Sequence, residues 1–256
     1  MNGMQVYTSQ ELRGWFYEPM RRWPGVRDVM VGVHGISRHV DLVGKTLLPI
    51  ARKLRWCLVL PDFDKRHFKR YQLLLADGKQ SRSDLALNRW LLQLWPSAVL
   101  RLHLFGFSGG AQFCHRYAII HRERVASQVL VSAGWYLFPS LKSRYPYGLG
   151  GWPRELPERV AINDYTQLPT LVFVGDQDTT RDRSLRQGAV LDCEQGMNRY
   201  ERARRWMHSW QQLAPSNVWQ LNVLRGVGHD LSACAQKTRM LEIVMDFLQG
   251  EAGNAS

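Results

Sequence analysis

Leu104-Phe105-Gly106-Phe107-Ser108-Gly109-Gly110 joins an apolar run, Leu100–Phe105, to a helical pattern over Ala111–His121. Between a strand and a helix, a GxSxG sequence predicts a sharp strained turn that lifts the Ser108 hydroxyl above a sheet. Small residues at Gly106 and Gly110 let that turn close. The start of the following helix offers the N–H of Gly109 and a positive dipole end to a developing oxyanion. Ser108 is therefore the candidate nucleophile, and the rest of the chain is read for what such a serine needs.

Outward from this turn, short apolar runs alternate with helical spacing. The runs are Val29–Val33, Cys57–Leu60, Leu100–Phe105, Val129–Ser132, Leu171–Val174 and Val218–Leu224. Each is Val- and Leu-rich, as strands buried on both faces of a parallel sheet are. Asp84–Trp95 places Leu87, Trp90, Leu91 and Leu94 on one helical face, with Ser81 or Ser83 as N-cap and Pro96 as the stop. Met197–Leu213 and Leu241–Leu248 read as further helices, Val6–Tyr17 as one or two antiparallel edge strands, and Glu251–Ser256 as a loose tail. The pattern predicts an α/β fold, a mostly parallel central sheet with helices on both faces, in one domain over residues 1–256. Residues 134–165 interrupt the alternation with many aromatic side chains among four prolines, and a segment of this length predicts a cap or lid insert.

A serine hydroxyl needs a base. Gly228-His229 follows the last strand and precedes the last helix, the place for that base in the chain order serine, acid, histidine. His208 falls mid-helix between Trp206 and Trp210 and reads as a surface or packing residue. The acid belongs after Leu171–Val174, where Gly175-Asp176-Gln177-Asp178 offers two aspartates. Asp178 has the reach to turn toward His229, whereas Asp176 suits the backbone N–H groups of its own turn. Val33-His34-Gly35-Ile36 ends an earlier strand; Ile36 can supply a second oxyanion N–H, with His34 holding the loop.

These four motifs resemble the α/β-hydrolase superfamily over about residues 25–250, and within it the small carboxylesterases and the polyester depolymerase-like branch. The resemblance implies Ser108 as nucleophile, Asp178 as acid and His229 as base. It also implies Ile36 and Gly109 as oxyanion donors, an acyl-serine intermediate on an ester-type small molecule, and no cofactor. The other reading is a non-catalytic ligand receptor or interaction module on the same fold.

Three segments are candidate pocket walls. Trp135, Tyr136, Tyr145 and Tyr147 of the insert are expected to sit over Ser108 and favour a compact acyl group. Pro61–Tyr71 mixes charge and rings. Arg181–Arg205 holds seven arginines, expected to be mostly exposed, one of which can meet an anionic group.

Composition narrows the classes. The chain has 256 residues, 45% of them hydrophobic, which excludes wholesale disorder. No stretch approaches the roughly 18 uninterrupted apolar residues of a membrane span. The net charge of +12 is scattered rather than clustered, which argues against a nucleic-acid site. Four distant cysteines, no metal-ligand spacing and no secretory pattern at the N-terminus point to a reduced, cytoplasmic setting. Oligomeric state is left open.

Overall fold

The structure, a computed structural model, describes residues 3–9, 11–19, 26–76, 78, 81–158 and 162–253. The strands are β1 (Gln5–Thr8), β2 (Arg13–Tyr17), β3 (Val26–Val33), β4 (Cys57–Asp62), β5 (Val99–Phe107), β6 (Val125–Val131), β7 (Thr170–Gly175) and β8 (Trp219–Leu224). The helices are α1 (Val40–Leu54), α2 (Ser83–Leu94), α3 (Gly109–Ile120), α4 (Ile162–Thr166), α5 (Ala189–Gln195), α6 (Arg199–Leu213), α7 (Leu231–Lys237) and α8 (Met240–Gly253). Among the described residues the strands form one sheet in the order β1-β2-β4-β3-β5-β6-β7-β8. Only the pairs β1–β2 and β2–β4 are antiparallel. Each of the six apolar runs is one of the parallel strands, and Val6–Tyr17 supplies the antiparallel edge.

Successive residues of a strand point to opposite faces, and this sheet is covered on both. Val29, Val31 and Val33 of β3 join a core with Trp90 of α2, Phe113 and Tyr117 of α3, and Trp206 and Trp210 of α6. Met30, between them, faces the other way, with Leu58 and Leu60 of β4, Leu47 of α1, Leu231 of α7 and Val244 of α8. The fold is thus an α/β sandwich whose strands β3, β5, β7 and β8 deliver their C-terminal ends to one edge of the sheet.

Three expectations change. α1 has no counterpart in the helical spacings read from sequence: Pro49 lies inside it, where proline removes a helical hydrogen bond. Its buried stripe Val40, Val43, Leu47, Ile50 and Ala51 nevertheless packs under the sheet. Neither Ser81 nor Ser83 caps α2. Arg82 occupies the N-cap without a side-chain capping bond, while Ser83 Oγ donates to the Tyr71 carbonyl (2.7 Å) and Ser81 Oγ to Glu11 (3.1 Å). The expected tail from Glu251 is helical as far as Gly253; residues 254–256 lie outside the described residues, as do 159–161 of the insert.

Candidate active site

β5 ends at Phe107 and α3 begins at Gly109, so one residue makes the whole turn. Ser108 has φ 55° and ψ −113°, a left-handed conformation that costs a non-glycine residue on the order of 1–3 kcal/mol. The crossing is tight. A Cβ at Gly106 would lie 2.4 Å from the Gly110 carbonyl, and one at Gly110 only 2.0 Å from the Val33 oxygen. Glycine is required at both positions because backbone approaches backbone.

Ser108 Oγ lies 3.0 Å from Nε2 of His229, and His229 Nδ1 lies 2.9 Å from Asp178 Oδ2. A carboxylate only accepts, so Nδ1 carries the proton and donates to Asp178, leaving Nε2 to accept from the Ser108 hydroxyl. Asp178 and Ser108 are buried, and the His229 side chain, 19% exposed, borders the cleft. Phe107 stacks on the imidazole, with centroids 4.9 Å apart and 23° between planes. Asp176 Oδ1 instead accepts the Gly226 N–H at 2.8 Å, tying the acid-bearing turn to the turn before His229.

Gly109 opens α3, where the first N–H groups have no helical acceptor. The Ile36 nitrogen is 3.3 Å from the point where a Gly109 Cβ would stand, so the two expected oxyanion donors belong to adjoining backbone. The loop carrying Ile36 is braced from behind. Arg38 donates to the carbonyls of Ile36 (2.7 Å) and Phe63 (2.8 Å), and the Tyr71 hydroxyl to that of His34 (2.6 Å). His34 Nδ1 donates to the Gly35 carbonyl (2.8 Å) and Nε2 accepts the Phe63 N–H (3.0 Å).

Burial pushes the His34 pKa down from 6.5 to about 4, against the pull of the Gly35 carbonyl. His115, wholly buried on α3, is pushed the same way. An unfolded chain protonates His34 near pH 6.5 while the folded one refuses that proton until about pH 4. Stability is therefore full above pH 6.5 and is expected to fall between about pH 6.5 and 4, by roughly 3 kcal/mol for His34 alone. Urea unfolding midpoints at pH 8, 6, 5 and 4.5 check this; a constant midpoint would refute it.

Ser108 and His229 open into a cleft of about 400 Å³, walled by Ile36, Phe107, Ser184 and Leu231 with Asp182 at one side. Trp135, Tyr136, Tyr145 and Tyr147, expected here, do not line it. They are used in packing. Trp135 lies under the Arg116 guanidinium at 4.3 Å and packs with Tyr147 at 5.0 Å. Tyr136 is fully buried and stacks on Trp206 at 4.6 Å, and the Tyr145 hydroxyl donates to the Leu73 carbonyl. Nor does any residue of 61–71 reach the cleft: Phe63, Phe68 and Tyr71 are core.

The arginine-rich stretch meets expectation in part: Arg183, Arg186, Arg204 and Arg205 are exposed. Arg181 pairs with Asp192 at 2.8 Å, and none of the seven arginines lines the cleft. Arg199 and Arg202 are buried, the former beside Asp178. Their signal in the sequence is position. On α6 they fall on the stripe of Trp206 and Trp210, at spacings of three, four and four. His208 lies with Glu201, Arg204 and Arg205 along a separate depression of about 340 Å³.

A second Ser–His–Asp relay crosses the sheet away from the cleft. Asp28 of β3 accepts from His103 Nε2 (3.0 Å), and His103 Nδ1 accepts from Ser127 Oγ (2.8 Å). Ser127 is fully buried, and the Trp56 ring stacks on His103 at 4.1 Å. Among the described residues there is no cluster of His, Cys, Asp and Glu able to hold a metal ion and no helix long and apolar enough to cross a membrane.

No family model matches the chain, and no curated protein matches it. Solved structures do. The poly(aspartic acid) hydrolase-1 of Sphingomonas sp. KT-1 superposes with a TM-score of 0.75 at 21% identity, covering 94% of this chain and 97% of that one. The poly(3-hydroxybutyrate) depolymerase of Bordetella parapertussis gives 0.72 at 25% identity, over 92% and 84%. An S-formylglutathione hydrolase of Agrobacterium tumefaciens gives 0.61 at 14% identity, over 99% and 95%. What they share with this chain is its fold.

Proposed function

We propose that this chain, which has the α/β-hydrolase fold, is a serine hydrolase that cleaves a carboxylic ester or related acyl bond of a small molecule. One observation carries the reading. The hydroxyl on the strained strand-to-helix turn donates to an imidazole whose other nitrogen donates to a buried carboxylate, and the three side chains come from three different strand ends. A passive glycine-rich turn has no need of that relay.

In this reading Ser108 Oγ attacks the acyl carbon as His229 Nε2 takes its proton. Asp178 holds the imidazole and stabilises the imidazolium without becoming protonated. The carbonyl oxygen takes the negative charge between the N–H groups of Ile36 and Gly109, where fixed donors typically lower the barrier by about 3–4 kcal/mol. His229 then returns its proton to the leaving alcohol, which departs and leaves an acyl-serine. Water attacks that acyl group, its proton passing to His229. Collapse of the second tetrahedral adduct frees the acid, and the proton returns to Ser108. Every proton is moved by these residues, so the proposal assigns no cofactor and no metal.

The three similar structures are named for hydrolysing poly(aspartic acid), poly(3-hydroxybutyrate) and S-formylglutathione, which supports acyl hydrolysis as the reaction class. We read the chain as one catalytic domain bearing the insert 134–165 and, since its four cysteines are free thiols, as a cytoplasmic protein. The test is a fluorophosphonate probe together with p-nitrophenyl acetate and butyrate. The wild type is expected to hydrolyse both esters and to carry the label on Ser108. A protein that does neither, yet is stabilised against heat by a ligand it leaves unconverted, would overturn the reading in favour of a receptor.

A further inference from the structure

Asp178 uses one carboxylate oxygen on His229; the other faces Arg199. The arginine is the first residue of α6, whose N-cap Asn198 accepts the Glu201 N–H at 2.9 Å, so the helix start holds its backbone in place. Its side chain is 1% exposed. Nη1 lies 3.4 Å from Asp178 Oδ1, while Nη2 lies 2.5 Å from Ser184 Oγ and 3.5 Å from Asp182 Oδ1. Asp182 Oδ1 in turn accepts the Ser184 N–H (2.7 Å), the Ser184 hydroxyl (2.6 Å) and the Leu185 N–H (3.1 Å). Asp182 and Ser184 are cleft wall. One planar guanidinium therefore touches the buried oxygen of the relay acid on one side and the substrate side of the site on the other.

Burying a cation is costly, and only close anions and hydrogen bonds offset it. Two carboxylates flank this one, which accounts for its tolerance but not for its placement: α6 is anchored to the sheet by Trp206 and Trp210 without it. We propose that Arg199 is a positioning residue for the triad. It holds the Asp178 carboxylate in the orientation that His229 Nδ1–H requires and fastens it to the Asp182–Ser184 wall of the cleft. This inference rests on the serine-hydrolase reading.

The groups facing Asp178 come from four elements. They are His229 before α7, Arg199 of α6, the Tyr136 hydroxyl after β6 and the Cys234 thiol of α7. Burial pushes the tyrosine and the thiol upward, the latter to about 11, so both are neutral near pH 7. Farther out, Asp230 caps α7 by accepting the Ala233 N–H, and Arg202 stands behind Arg199, paired with Asp192. Asp182 is raised by burial but brought down further, to about 2, by Ser184 and Arg199, so it remains an anion. Arg199 is thus the cation on the far side of Asp178 from the imidazole. Without it, that side of the Asp178–His229 pair loses its positive charge, a change that a pH–rate profile reads.

The experiment compares wild type, Arg199→Met and Arg199→Lys on p-nitrophenyl butyrate from pH 5 to 9, with competent sites counted by the fluorophosphonate probe and folding followed by circular dichroism. In Arg199→Met, kcat per competent site is expected to fall by about tenfold or more with KM within about threefold, the signature of an interaction needed in the transition state. The acid limb of kcat/KM is expected to move toward neutral pH. Arg199→Lys keeps the charge but lacks the fork that spans Asp178 and Ser184. It is expected to restore the acid limb and only part of kcat.

A merely structural arginine would lower the whole profile in proportion to folded protein and leave the limb in place, and that result overturns the proposal. Should Arg199→Met not fold, Arg199→Lys decides: wild-type kcat per competent site refutes a positioning role. A wild type that does not react with the probe refutes the hydrolase reading itself. A wild type that reacts, with an Arg199→Met protein reacting equally fast at every pH, refutes only the role of Arg199.

Discussion

Replacing Ser108 with Ala is expected to lower turnover of p-nitrophenyl acetate by about four to six orders of magnitude, with the thermal transition nearly unchanged. The reason is covalent. In the proposed mechanism no acyl-serine forms without Oγ, and the oxyanion donors and bound substrate alone would retain only a residual rate of roughly 10³–10⁴ over water. Ser108 also sits at φ 55°, a conformation alanine tolerates no worse, so the fold should survive. Esterase assays on purified protein, with melting followed by circular dichroism, check both halves. The variant should also take no fluorophosphonate label, because Ser127, the other serine held by a histidine and a carboxylate, is fully buried. A variant that hydrolyses the ester within tenfold of wild type would remove Ser108 from the mechanism.

Gly110→Ala is expected to have the second-largest effect, from one methyl group placed where it makes no chemistry. That methyl would stand 2.0 Å from the Val33 carbonyl oxygen and 2.8 Å from that of His34, both backbone atoms that cannot swing aside. The start of α3 must withdraw from the end of β3. Overpacking of this kind costs about 1–3 kcal/mol, which in a chain of this size is a fall in melting temperature of roughly 2–12 °C. The same displacement separates the Ile36 loop from Gly109, and a misplacement of about 1 Å can lower the rate by about a hundredfold. The variant should therefore lose far more activity than folded protein. Activity that falls only in step with stability would show that the close approach matters to the fold alone.

The strands were legible because a parallel strand buried on both faces is nearly continuous Val and Leu, and each of the six apolar runs is one. The hydrogen-bonded set of Ser108, His229 and Asp178 was legible because the three lie at strand ends in a fixed order; Asp178 was separable from Asp176 by reach alone, and the Gly226 N–H that holds Asp176 explains why. The pocket was not legible. Rings in a proline-rich segment read alike whether they face a ligand or a core, and only the partners of Tyr136 and Trp135 decide it. Arg199 and Arg202 were taken for surface because arginines are usually solvated. Their burial depends on Asp178, Asp182 and Asp192, which the chain brings to them only on folding. α1 was hidden by Pro49, whose lost hydrogen bond is outweighed by an apolar stripe packed under the sheet.

Among the described residues two serines donate to an imidazole that donates to a carboxylate, at 3.0 and 2.9 Å for Ser108 and at 2.8 and 3.0 Å for Ser127. Judged by three side chains and two distances, they are the same device. What separates them is room. Beside Ser108 there is a hollow of about 400 Å³, with Ile36 in its wall; Ser127 is fully buried, and the Trp56 ring stacks on the imidazole it donates to. At Ser127 the relay is a rivet joining β3, β5 and β6. At Ser108 the same bonds are left with an unfilled direction. In the proposed mechanism, nucleophilicity is a property of the open space next to the hydroxyl as much as of the groups that hold it.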